Sequence, residues 1–172
     1  MRTLVAALAA LTALSAPAKA DVVEEVLGCK GDPCVVTYNP GGFVSKFESA
    51  ASAILGGARE RVIIDGDCYS SCTLLADYAA ENVCLTVWAR LYFHRGTGLK
   101  LEPVRIPMGN TVVYAGVYTS VTHIDLDYRL PKVVGWINSI GGLPKDGKFV
   151  EMPAAIAHDT WPTCALPKPS PR

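Results

Sequence analysis

Ser70 sits in the run Asp65-Gly66-Asp67-Cys68-Tyr69-Ser70-Ser71-Cys72. The apolar strand signal Arg61-Val62-Ile63-Ile64 precedes it, and the helix-forming stretch Thr73 to Ala80 follows. A hydroxyl at a strand-to-helix turn stands over the positive end of the helix dipole and its unpaired backbone N–H groups, the setting that suits a serine nucleophile. The plainer role for the same residue is a helix N-cap. Two further features bear on the choice. Asn39-Pro40-Gly41-Gly42 lies upstream, and Phe93-His94-Arg95-Gly96 supplies a histidine able to act as a base downstream.

The elements that would position these residues alternate strand and helix. Cys34 to Tyr38 reads as a strand ended by Asn39-Pro40-Gly41-Gly42. Phe43 to Ala58 reads as a helix with an apolar stripe of Phe43, Phe47, Ala50, Ala51, Ile54 and Leu55, stopping at Gly56-Gly57. Arg61 to Ile64 is nearly all apolar, as expected of a central parallel strand. A helix from the Ser70 turn to Asn82 follows, then short strands at Cys84–Trp88 and Leu91–Phe93, with Trp88, Tyr92 and Phe93 read as core. Val112 to Asp125 fits strand by composition and helix by length. Lys132 to Ile140 and Met152 to His158 read as helices. The pattern is α/β with right-handed crossovers, and strand ends are where its loops gather into a site.

The ends of the chain carry different information. Met1-Arg2, the apolar run Leu4 to Leu14 and Ala16-Pro17-Ala18-Lys19-Ala20 have the pattern of a secretory signal peptide, so residues 1–20 are expected to be cleaved and the product to be periplasmic or secreted. Roughly 150 residues remain, enough for one domain with its own core. We place that domain at residues 21–160 and a proline-rich tail at 161–172. The formal net charge of the whole chain is zero and no basic stripe occurs, which argues against a nucleic-acid partner. No second apolar run of spanning length follows the signal, so no membrane association is expected after cleavage. The six cysteines, Cys29, Cys34, Cys68, Cys72, Cys84 and Cys164, all lie beyond residue 20. An even count in an exported chain favours disulfides, with Cys29–Cys34 paired first across the turn-rich Lys30-Gly31-Asp32-Pro33. Their spacing suits neither a zinc site nor a thioredoxin-like redox motif. His123 and His158 have no partner motif and read as structural.

Pro40-Gly41-Gly42, then Gly66-Asp67-Cys68-Tyr69-Ser70-Ser71-Cys72, then Phe93-His94 resemble the Clp protease proteolytic subunit and its relatives in the Clp/crotonase superfamily, in particular their exported bacterial Clp-like members. The order and separations are close to those of the Clp peptidase, and the resemblance covers Val35 to Gly96. It implies a Clp/crotonase-like fold with repeated ββα-type units, here disulfide-bonded. By position it makes Ser70 the nucleophile, with Ser71 as the alternative hydroxyl, and His94 the base. The N–H of Ser71 would form an oxyanion hole with Gly41 or Gly42. Asp146 would be the third member, with Asp125, Asp127 and Asp159 as rivals. The implied activity is ATP-independent hydrolysis of peptides or unfolded proteins outside the cytoplasm, with no metal and no cofactor. Coenzyme A chemistry is disfavoured, because crotonases generally lack a serine–histidine pair of this layout. The alternative is a catalytically silent binding or assembly protein on the same fold. Such relatives form rings or trimers through the segment after the histidine; here that segment, Arg95 to Gly142, departs from the family, which leaves homo-oligomerisation open.

Overall fold

The computed structural model describes residues 18–166. The expected signal peptide lies outside these residues except for Ala18 to Ala20, which begin helix α1 (Ala18–Leu27). Residues 167–172 of the proline-rich tail lie outside as well. There follow β1 (Cys34–Asn39), α2 (Val44–Ala53) with a wide helical turn at Ile54–Ala58, β2 (Val62–Tyr69), α3 (Ser71–Tyr78), β3 (Val83–Leu85) and β4 (Arg90–Phe93). The chain continues through β5 (Gly96–Met108), β6 (Thr111–Ile124), α4 (Pro131–Ser139), β7 (Val150–Glu151) and α5 (Ala154–Thr160). The fold is mixed α/β with three disulfides. No helix among the described residues is long and apolar enough to cross a membrane.

β2 organises the main sheet. β1 runs parallel along one edge. The other edge is shared end to end: β3 pairs with Val62–Ile64, and β4 pairs with Asp67–Tyr69, both parallel. β7 closes the far side of β4 antiparallel. Between the two halves of β2 the register slips, so that Asp65 and Gly66 face the single residue Thr37. The approach is so close that a Cβ on Gly66 would lie 1.9 Å from the Thr37 carbonyl oxygen. Such a bulge bends and twists the strand, and it re-aims the end of β2 that leads to Ser70.

Val62, Ile63 and Ile64 are all buried, as their unbroken apolar run requires of a central strand. Phe47, Ala50 and Ala51 of α2, with Ile54 of the turn that follows, form a buried stripe, and α2 packs against α1 and α3. Leu74, Leu91, Phe93, Met152 and Trp161 complete the core, each side chain contributing about 1.5–3 kcal/mol by leaving water. α3 is buried nearly throughout, so its polar groups need partners. The Asp77 carboxylate accepts from Arg129 N and Leu130 N at 2.6 and 3.0 Å and fixes the chain where α4 begins; burial nevertheless holds its pKa above the ordinary value. Trp161 Nε1 donates to Ala76 O at 2.9 Å.

All six cysteines are paired, as Cys29–Cys34, Cys68–Cys72 and Cys84–Cys164. The first joins the exit of α1 to β1, and the last pins the C-terminal segment beside β3, where Leu85 N donates to Pro162 O and Cys164 N to Leu85 O.

Two sequence expectations are revised and one left open is decided. The strand expected over Cys84–Trp88 ends at Leu85, because Thr86 Oγ1 donates to Asp65 at 2.6 Å and accepts from Trp88 N at 3.2 Å, turning the chain. Trp88 consequently points outward at 73% exposure, while Phe93 is buried and Tyr92 half-buried. The segment left open between strand and helix is strand as far as Ile124, and it pairs with β5 in a separate two-stranded ribbon.

Candidate active site

Ser70 occupies the N-cap position of α3, yet its hydroxyl makes no capping bond. It lies instead 2.6 Å from His94 Nε2. With the ring proton on Nδ1, Ser70 Oγ donates to Nε2, the arrangement a base needs to take that proton. The Ser70 hydroxyl is therefore not spent as a helix cap.

The backbone at Ser70 is unusual. Its φ of 55° and ψ of −123° make it the one non-glycine residue with positive φ among the described residues. A residue so placed costs on the order of 1–3 kcal/mol, and persists only when its surroundings hold it. Here Ser70 N donates to Tyr92 O, and Ser70 O accepts from both Thr73 N and Thr73 Oγ1, at 2.9, 2.9 and 2.6 Å. The Cys68–Cys72 bridge ties the two sides of the turn together. The strain is local, and its effect is to lift the hydroxyl away from the helix end toward His94.

The glycine turn packs against this elbow. Gly41 has a φ of +80°, and a Cβ there would lie 2.7 Å from both Ser70 Cβ and Tyr69 O. Its N–H is already given to Asn39 Oδ1 at 2.9 Å, while Asn39 Nδ2 donates to Val26 O at 2.8 Å. Buried Asn39 therefore shapes the turn, a part that sequence reading did not assign although it begins the Asn39-Pro40-Gly41-Gly42 motif. The N–H groups of Gly42 and Ser71 have no hydrogen-bond partner among the described residues, whereas that of Gly41 is taken. Ser71 Oγ donates to Gly42 O at 2.6 Å and is buried, which takes it out of contention as the alternative nucleophile.

His94 follows β4 and is half-buried. Phe149, entering β7, packs on its ring with centroids 4.4 Å apart, and the same phenyl meets Tyr69 edge-on at 5.3 Å. Tyr69 in turn stacks on Tyr92 at 4.3 Å. Loss of solvation lowers the pKa of His94 from its ordinary value and favours the neutral, basic ring.

The third member is not brought to the ring. Asp146 is engaged by Lys148, whose Nζ is 2.7 Å from its carboxylate and whose backbone N donates to it at 3.2 Å. Asp125 is held by Arg95 through two bonds of 2.8 and 2.7 Å, and Asp159 pairs with Lys132. Asp127 lies 4.0 Å from Arg129. None of these four carboxylates bonds to His94, and Nδ1 has no acceptor among the described residues. The loop expected to deliver Asp146 delivers Phe149 instead.

A cleft of about 450 Å³ opens beside Ser70, lined by Gly42, Ser71, Leu74 and Tyr78 among others. Among the described residues no group of three His, Cys, Asp or Glu could hold a metal ion. The arrangement brings together a hydroxyl, a neutral imidazole and two N–H groups beside a cleft, which is the equipment for acyl transfer. Comparisons with protein-family models, curated proteins and solved structures found no match.

Proposed function

We propose that this protein is an exported serine hydrolase of Clp/crotonase-like fold that cleaves peptides or unfolded chains without an ATP-driven partner. The observation that carries the proposal is the 2.6 Å contact between Ser70 Oγ and His94 Nε2, made by a serine held at positive φ. The bulged β2, with β3 and β4 following one another along its edge, supports the fold assignment. Three disulfides favour an oxidising compartment and thus export.

In this reading Ser70 Oγ attacks the scissile carbonyl carbon while its proton passes to His94 Nε2. The oxyanion that forms accepts hydrogen bonds from Gly42 and Ser71 N–H, each such donor contributing about 3 kcal/mol in comparable sites. His94 then protonates the departing amine, and a water deprotonated by the same ring releases the acyl group from Ser70. Losing the orienting carboxylate lowers turnover in other triads by up to about 10⁴-fold, so a dyad built this way is slow.

That His94 Nδ1 has no acceptor among the described residues favours a second reading, a catalytically silent binding or assembly protein on this fold. Labelling of the oxidised protein with an alkyl fluorophosphonate decides between them. The hydrolase reading expects labelling of the parent that is lost in Ser70→Ala and His94→Ala. A folded parent that takes no label, or a Ser70→Ala variant that labels as well as the parent, refutes it.

A further inference from the structure

The cleft beside Ser70 has a direction. Ser70, Leu74 and Tyr78 are spaced by four residues on α3 and its N-cap, so they line one face of the helix in successive turns. At 1.5 Å per residue, Leu74 lies about 6 Å along the axis from the nucleophile and Tyr78 about 12 Å. The first rung is apolar. The second is aromatic and carries a hydroxyl, and Glu48 of α2 and Asp127 join the lining. Burial holds the Tyr78 phenol above its ordinary pKa; Arg129 pulls it down, and Asp127 and Glu48 push it up.

The charges around this end do not cancel. Asp125 is neutralised by Arg95. Arg129, whose guanidinium carbon sits 3.8 Å from the Tyr78 ring centroid, is nearest to Asp127. Glu48 has neither an ion pair nor a hydrogen bond among the described residues, and it is only half-exposed. No lysine or arginine lines the cleft itself.

An apolar stem leading to an unpaired carboxylate complements a side chain with an aliphatic stem and a cationic end. An extended lysine side chain spans about 6 Å from Cα to Nζ, which carries its ammonium from a carbonyl at Ser70 to the level of Leu74. We infer that this cleft is the specificity pocket of the hydrolase, taking the lysine or arginine side chain on the acyl side of the scissile bond, with Glu48 as its counter-ion. The inference rests on the Ser70–His94 reading and deepens it by naming the substrate class.

The test uses two peptidyl diphenyl phosphonates that differ only in bearing a lysine or an uncharged norleucine side chain beside phosphorus, with the alkyl fluorophosphonate run alongside. Each phosphonate reacts by forming an Oγ–P bond as phenol departs, the Ser70 proton passing to His94 and on to the leaving oxygen. The lysine reagent is expected to modify Ser70 at least tenfold faster than the norleucine one. In Glu48→Gln the ratio falls toward one, in Glu48→Asp most of it survives, and in Glu48→Lys a glutamate-bearing phosphonate overtakes the lysine one. Equal rates for lysine and norleucine, or a ratio unchanged in a Glu48→Gln variant that melts like the parent, overturn the pocket assignment while fluorophosphonate labelling leaves the nucleophile standing. Absence of fluorophosphonate labelling removes the hydrolase reading and the pocket with it.

Discussion

Replacing Gly41 by alanine tests the elbow without touching any reacting atom. The new methyl would stand 2.7 Å from Ser70 Cβ and from Tyr69 O, and 3.1 Å from Ser71 N. Ordinary contact begins at 3.4 Å, so the two strands of the turn must part by roughly 0.7 Å. Two costs add: about 1–2 kcal/mol for placing alanine at a left-handed φ, and about 1–3 kcal/mol for the overpacked contact. The sum, about 2–5 kcal/mol, corresponds to a melting temperature lower by about 5–15 °C in a domain of this size. The displacement also falls on Ser70 itself, and a misplacement near 1 Å costs a reaction about 10²-fold. Gly57→Ala is the matched control: its φ is +87°, but nothing lies within 4 Å of its added methyl. That variant should show only the backbone cost and label at the parental rate. Thermal melting and fluorophosphonate labelling rates, measured on both variants, separate the two costs. If Gly41→Ala labels at the parental rate, or loses no more stability than Gly57→Ala, the glycine does not position the serine and the argument for the elbow fails.

Two further outcomes are expected. Because burial depresses the pKa of His94, its ring stays neutral to a pH below its ordinary value of 6.5, so labelling should rise with pH through a midpoint under 6.5. The same group stabilises the fold above its unfolded pKa and loses that contribution as pH falls through the lower folded value. Phe149→Ala, which opens the ring to water, should move the labelling midpoint up toward 6.5; a parental midpoint above 6.5 would instead reveal a carboxylate beside the ring. Disulfide removal should follow loop length: by chain entropy, Cys84→Ser with Cys164→Ser, 80 positions apart, costs about 4.5 kcal/mol, and Cys29→Ser with Cys34→Ser, 5 apart, about 2 kcal/mol. A reversed order in denaturant titrations would show that native packing, not loop closure, governs these bridges.

What the sequence disclosed follows the range of the forces involved. β2, the Ser70 turn and α3 were legible because an apolar run, a glycine and a helix start are each local signals, and the sheet then brings His94 to Ser70 through the pairing of β2 with β4. The Cys29–Cys34 pair was legible because only a short turn separates its members. The β5–β6 ribbon was not. Pro103 and Pro107 interrupt the strand signal of β5, and the residues from Glu102 to Met108 are exposed or half-exposed, so no buried face imposes alternation there. Asp146 shows the limit from the other side. Its position near the end of the domain suggested a triad member, but the local attraction of Lys148 holds the carboxylate, and only the pairing of β4 with β7 determines that Phe149 reaches the ring. Trp88 was misplaced for a similar reason: a hydrogen bond from Thr86 to Asp65, far away in sequence, ends the strand that would have buried it.

The ribbon has a mechanical consequence. Its strand β5 holds 13 residues, which at about 3.3 Å each give an arm roughly 40 Å long. The foot of that arm is the pair Gly96 and Ile124, and both residues line the cleft beside Ser70. Continuous pairing from Thr97 to Met108 makes the arm stiff to stretching, whereas a two-stranded ribbon twists readily and the register shifts at its foot between Gly96 and Thr97. Torque on the ribbon would act on the cleft through the wall that Ile124 contributes. Gly96 lies two residues beyond His94, so a rotation of the foot would act two peptide bonds from the base.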